Sequence, residues 1–229
     1  MNGQLQETDL APIDPSDRLR NLATFLPQRV RVRIISFNFE KEDSDSDDSD
    51  SEPESVIPDS VLSQFTRLTK LSFVDGNITG RIPSLPTLRE LKLENTKNVE
   101  IHAETLRTLR RLFLKKNEGV RLDVTELQNL TFFELNHNPG LRFDIAAIQS
   151  DATIAEIKII NQPEIVGDCR SFIQLHTLWL ESTGIRSVNE AYPQLRSLTF
   201  KDNLVLERGF EFFSDIGGAG AGAAVPQLV

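Results

Sequence analysis

A motif of the form L-x-x-L-x-L, with Ile, Val or Phe allowed at each apolar position, occurs eight times and constrains this chain more than any other feature. The triplets are Val32/Ile35/Phe37, Leu68/Leu71/Phe73, Leu88/Leu91/Leu93, Leu109/Leu112/Leu114, Leu130/Phe133/Leu135, Ile154/Ile157/Ile159, Leu175/Leu178/Leu180 and Leu195/Leu198/Phe200. At 39% hydrophobic content, 24 such positions would all be apolar by chance on the order of once in ten billion trials. From Leu68 onward, successive triplets start 20, 21, 21, 24, 21 and 20 residues apart. A fixed period of that length implies a stack of similar coils, each covering the face its neighbour leaves open.

Within each triplet the alternation x-L-x-L places the apolar residues on one face of a strand and the intervening residues on the other. One short strand per repeat is therefore expected. An apolar residue also stands three positions before most repeats: Phe65, Leu85, Leu106, Leu127, Phe172 and Tyr192. Asp151 is the exception, and it falls in the 24-residue repeat, where Ile145 to Ile148 can supply a short helical turn and the missing contact. The first interval, from Val32 to Leu68, is 36 residues. It exceeds one period by about the length of an acidic Ser/Asp run, which reads as an insertion into the first repeat.

This pattern resembles the leucine-rich-repeat family over about residues 30 to 206. The resemblance implies an α/β repeat fold, a solenoid with a concave parallel β-sheet of about eight short strands and few or no full convex helices. It also implies an asparagine after each strand, turned inward to satisfy backbone groups of neighbouring coils. Asn117, Asn138 and Asn203 stand at that position, Thr96 and Thr183 replace it twice, and Asn77, Asn95 and Asn161 lie one residue off, so irregular turns are expected there. One repeat, Asn77-Ile78-Thr79-Gly80-Arg81-Ile82-Pro83, resembles the plant-type N-x-T-G-x-I-P signature. It raises the alternative of a fragment from a larger leucine-rich-repeat receptor, immune sensor or ubiquitin-ligase substrate adaptor.

A solenoid needs covered ends. Residues 1–13 read as a flexible N-terminus. Residues 14–29 read as a capping helix, with Asp14 as N-cap, Pro15 at the first helical position and an apolar stripe of Leu19, Leu22, Phe25 and Leu26. Residues 30–206 form the solenoid, interrupted by an acidic disordered insert at 40–56. Phe210, Phe212, Phe213 and Ile216 suit a C-terminal cap at 207–216, and the Gly/Ala-rich stretch 217–229 is expected to be disordered.

From Glu40 to Glu54 there are nine acids and one base, which accounts for nearly all of the net charge of -9. The rest is close to neutral and lacks the basic surface that nucleic acid requires. No apolar run approaches the roughly 18 residues of a bilayer span, so neither membrane nor nucleic acid is an expected partner. The polar start of the chain carries no secretion signal, which points to the cytoplasm or nucleus. A lone Cys169 with scattered His102, His137 and His176 offers no disulfide or metal spacing, and no cofactor is expected. Glycine-rich phosphate loops, nucleophile elbows and paired histidines are all missing, so the chain is not expected to be an enzyme. In the insert, Ser44, Ser49 and Ser51 each precede an acid by three residues, a pattern resembling the preference of acidophilic kinases of the casein-kinase-2 type.

Side chains between the inward leucines line up in rows across the sheet. One row runs Ser36, Ser72, Lys92, Phe113, Glu134, Lys158, Trp179, Thr199, and its neighbour runs Ile34, Lys70, Glu90, Arg111, Phe132, Glu156, Thr177, Ser197. Mixed charges there suit cross-strand pairing on an exposed sheet. The aromatics suit recognition instead. Trp179, Phe113, Phe132 and Arg111, with Lys92 and Lys158 beside them, are the candidate centre of a surface for a protein or peptide ligand on a monomeric chain.

Overall fold

The computed structural model describes residues 32–38, 55–57, 59–76, 78–149, 154–188 and 192–203. Both expected caps, both flexible ends, Ser44, Ser49, Ser51 and most of the insert lie outside the described residues. Twelve strands are described: β1 (Ile34–Asn38), β2 (Ser55–Val56), β3 (Lys70–Val74), β4 (Ile78–Ile82), β5 (Glu90–Glu94), β6 (Val99–Ile101), β7 (Arg111–Lys115), β8 (Phe132–Asn136), β9 (Phe143–Asp144), β10 (Glu156–Asp168), β11 (Thr177–Ser187) and β12 (Ser197–Lys201). Among the described residues helix is confined to α1 (Asp59–Leu62), α2 (Ala103–Thr108) and two single 3-10 turns.

The principal sheet is parallel throughout and runs β1-β3-β5-β7-β8-β10-β11-β12, one main strand per repeat, with β9 beside the far half of β10. Its register is the one the triplets dictate: Leu91 pairs with Leu112, Leu112 with Phe133, and Phe133 with Ile157. Of the 24 triplet residues, all are buried except Leu195, which is partly buried. The residues three before each repeat are buried too, and Ile145 and Ile148 fill the core in the 24-residue repeat from a 3-10 turn at Ile145–Ala147. The architecture is thus a parallel β-solenoid with almost no helix.

Three details differ from the sequence reading. The segment assigned to the insert, 40–56, ends in β2, since Ser55–Val56 pairs with β4. β10 and β11 are 13 and 11 residues long rather than short, because they continue pairing beyond the turn that ends the other strands. The turns themselves are regular. Asp75, Asn95, Lys116, His137, Asn161, Ser182 and Asp202 all occupy the second position after a triplet and all have φ between +51° and +58°. Asn95 and Asn161 are therefore not displaced ladder residues; they fill a left-handed position that Asn tolerates better than most side chains.

The extended pairing of β10 with β11 depends on one glycine. Register jumps from Gln162↔Thr183 to Val166↔Gly184, which bulges Pro163, Glu164 and Ile165 out of the ladder. A Cβ at Gly184 would stand 2.5 Å from the Pro163 carbonyl oxygen and 3.0 Å from that of Ile165. Backbone atoms on both sides cannot yield cheaply. Gly184→Ala is expected to cost about 1 to 3 kcal/mol by overpacking, measured as a lowered urea midpoint.

Candidate functional site

The rows read from the sequence are the rows of the sheet. Lys92, Phe113, Glu134, Lys158, Trp179 and Thr199 are successive register partners, as are Glu90, Arg111, Phe132, Glu156 and Thr177. Parallel in-register pairing leaves no other outcome, since each strand presents its odd positions to the same side.

Much of the charge along the face is paired within it. Glu90 takes Lys70 at 2.8 Å and lies 3.9 Å from Arg111, Glu94 takes Lys115 at 2.6 Å and Lys92 at 2.8 Å, and Glu181 takes Lys201 at 2.7 Å. Lys92 is thus held by a carboxylate on its own strand. Burial by itself raises the Glu94 carboxyl, but hydrogen bonds from Lys115 and Lys92 outweigh it and leave the group below its ordinary value of 4.5. A carboxylate depressed in the folded state contributes stability that is complete above its unfolded pKa and is lost as pH falls through the lower folded pKa. Acidification from about pH 5 to about pH 3 should therefore lower the melting temperature further in the native chain than in Glu94→Gln.

In the centre of the face the aromatics and cations converge. The Phe113 and Phe132 rings lie 4.6 Å apart between centroids, and the Arg111 guanidinium sits 5.2 Å from one ring and 5.0 Å from the other. Lys158 Nζ is 5.5 Å from the Phe132 ring. Phe132 is consequently buried, at 9% exposure, rather than presented to solvent. Its neighbours on the rows cover it, so it supports Arg111, Phe113 and Lys158 from below. Trp179, next to Lys158 in register, is 36% exposed, and its indole N–H donates to Glu181 at 3.3 Å, which fixes the ring.

The inward side of the turns carries a second polar system. Asn117 Oδ1 accepts from the Thr96 N–H at 3.0 Å and the Thr96 hydroxyl at 2.9 Å, while its Nδ2 donates to the Leu93 carbonyl and to Asn138 Oδ1, each at 2.9 Å. Asn138 repeats the pattern, accepting from the Asn117 N–H at 3.1 Å and donating to the Leu114 carbonyl at 2.9 Å. Asn203 does the same for Thr183 and Leu180. Gln162 occupies this position in its own repeat, where the sequence reading named only Asn161. Counting three residues past each triplet would have identified it.

Among the described residues no three His, Cys, Asp or Glu side chains gather as metal ligands, and no helix is long and apolar enough to cross a membrane. Cys169 is fully buried, and burial pushes its thiol pKa upward. His102 is the N-cap of α2, its Nδ1 accepting from the Glu104 N–H at 3.2 Å. No family model matches the chain, and a search of curated proteins returns no match.

Proposed function

We propose that the chain is a noncatalytic leucine-rich-repeat interaction module that recognises a protein or peptide through the concave face of its sheet. It acts without a cofactor, as a monomer, in the cytoplasm or nucleus. The observation that carries this reading is the Arg111, Phe113, Phe132 and Lys158 cluster with Trp179 beside it: rigid aromatic area next to cations, on a face where Glu90, Glu94 and Glu181 are already paired. Arg and Trp in such settings supply most of the energy in protein interfaces, and aromatics lose little conformational freedom on binding. Affinity capture with the native chain, Trp179→Ala and Arg111→Ala tests it. Both variants should lose the same captured protein by about tenfold or more while melting within a few degrees of the native chain. Retention of every partner by both variants rejects the concave face.

A second reading draws on β4, which holds most of the N-x-T-G-x-I-P segment and joins β2 and β6 in a second parallel sheet. In it, the chain is the recognition part of a larger receptor, immune sensor or ubiquitin-ligase substrate adaptor. A transcript that joins this region to a kinase, nucleotide-binding or F-box segment would establish it.

A further inference from the structure

The residue that precedes each main strand forms a row along the edge of the sheet where the strands begin. In the amino-terminal half, backbone hydrogen bonds step through this row coil by coil. The Thr69 N–H donates to the Arg33 carbonyl at 2.7 Å, and Arg89 to Thr69, Arg110 to Arg89 and Thr131 to Arg110 follow, each at 2.8 Å. Arg67 joins them from two positions earlier in its coil: the Thr87 hydroxyl of the next coil donates to the carbonyls on either side of it, Thr66 at 3.1 Å and Leu68 at 2.8 Å. Arg33, Arg67, Arg89 and Arg110 therefore share one edge over about three strand spacings, roughly 14 Å.

No counter-charge accompanies them. Neither this row nor the three positions before it hold an Asp or Glu in any coil. The nearest acids in these coils, Glu90, Glu104 and Glu126, are engaged by Lys70 at 2.8 Å, by the Ser84 hydroxyl at 2.5 Å and by Arg107 at 2.9 Å. Arg33, Arg67 and Arg110 are exposed, and among the described residues none has a carboxylate within 4.0 Å or a hydrogen bond from its guanidinium. Arg89 turns one Nη to the Leu88 and Thr108 carbonyls at 3.2 and 3.1 Å, and it too has no acid. The concave face mixes signs, as an exposed sheet ordinarily does; this edge carries one sign only.

We propose that the edge docks an acidic segment of a partner protein, its Asp or Glu carboxylates taken by Arg67, Arg89 and Arg110, with Arg33 at one end. A guanidinium fork matches a carboxylate with two parallel hydrogen bonds, and every cation in the set is an arginine. A nucleic-acid strand fits the edge less well, because it calls for a longer basic track and aromatic faces for its bases. Phe65, Phe172 and Tyr192, the aromatics nearest the edge in sequence, are all buried. None of the four arginines belongs to the aromatic cluster of the concave face, so this docking does not depend on Trp179.

The probe is fluorescein-labelled hexaglutamate, titrated into the native chain in about 50 mM salt, where surface charges are weakly screened, and followed by anisotropy. Replacing both Arg67 and Arg110 by Gln should weaken binding by about tenfold or more. These side chains are exposed and unpaired, so the melting temperature should stay within a few degrees. Replacing Arg121 and Arg186 by Gln removes the same charge from exposed positions away from the edge and should weaken binding less than about threefold. Trp179→Ala should bind the probe as the native chain does. The proposal falls if the probe does not saturate, if the two double variants weaken it equally, if Trp179→Ala loses it, or if labelled dodecathymidine binds the same edge as tightly.

Discussion

Asn117→Leu should lower the free energy of unfolding by about 3 to 6 kcal/mol, because the substitution fits the space but strands the groups that Asn117 serves. Its amide holds the Thr96 N–H and hydroxyl, the Leu93 carbonyl and Asn138 Oδ1. Thr96 and Asn117 are 0% and 1% exposed, so water cannot take over these bonds without opening the coil. Asn138 Oδ1 keeps the backbone N–H of residue 117, so three buried groups are left, and at about 1 to 2 kcal/mol each they give the expected range. Asn203→Leu is the comparison. It removes the same pattern of bonds to Thr183 and Leu180, but Asn203 is only half-buried, and solvent can replace part of the loss. Urea unfolding of both variants checks the argument, and equal losses would mean that burial is not what makes the ladder costly to break.

Leu112→Ala is expected to cost about 2 to 5 kcal/mol, the ordinary range for a leucine deleted from a packed interior. Leu112 lies on β7 near the middle of the sheet, has no exposed surface, and is flanked in register by Leu91 and Phe133. The coils on both sides are themselves pinned by neighbours, so the cavity cannot close by moving one element. Deletion of Lys41 to Glu54 makes the contrast. That segment has no apolar residues to contribute, and shortening a loop changes closure entropy only logarithmically, so the melting temperature should hardly move. A deletion as damaging as Leu112→Ala would show that the acidic run contributes to the fold.

Much of this arrangement was legible because the strand period is strict. Once the leucines of a triplet face inward, Phe113, Lys158 and Trp179 must share a row on the outer face. What the period does not carry is how rows cover one another. Phe132 alternates like an outward residue, yet Arg111, Phe113 and Lys158 close over it, and that depends on side-chain reach. The turns misled for a different reason. Asn suits both the inward amide position and the left-handed position before it, so Asn95 and Asn161 looked like displaced members of the first set. The backbone assigns them to the second, alongside Lys116, His137 and Ser182, which no propensity would have nominated. Gln162 went unnoticed because glutamine was not the residue sought.

The ladder of inward side-chain bonds also bears on how the molecule comes apart. In a linear array each coil touches only its neighbours, and cooperativity is the sum of those interfaces. Between the coils of β8 and β10 the sheet pairing persists, but no side-chain bond like those joining Thr96 to Asn117, Asn117 to Asn138 and Thr183 to Asn203 links the turns. The turns of β10 and β11 lack such a bond as well, but their strand pairing runs on to Asp168, so the β8–β10 interface is the less tied of the two. It divides the array into an amino-terminal block tied from Thr96 to Asn138 and a carboxy-terminal block tied from Thr183 to Asn203. Under mechanical load or in mild denaturant, parting would begin at this seam, and hydrogen exchange would then distinguish two cooperative units within a single uninterrupted sheet.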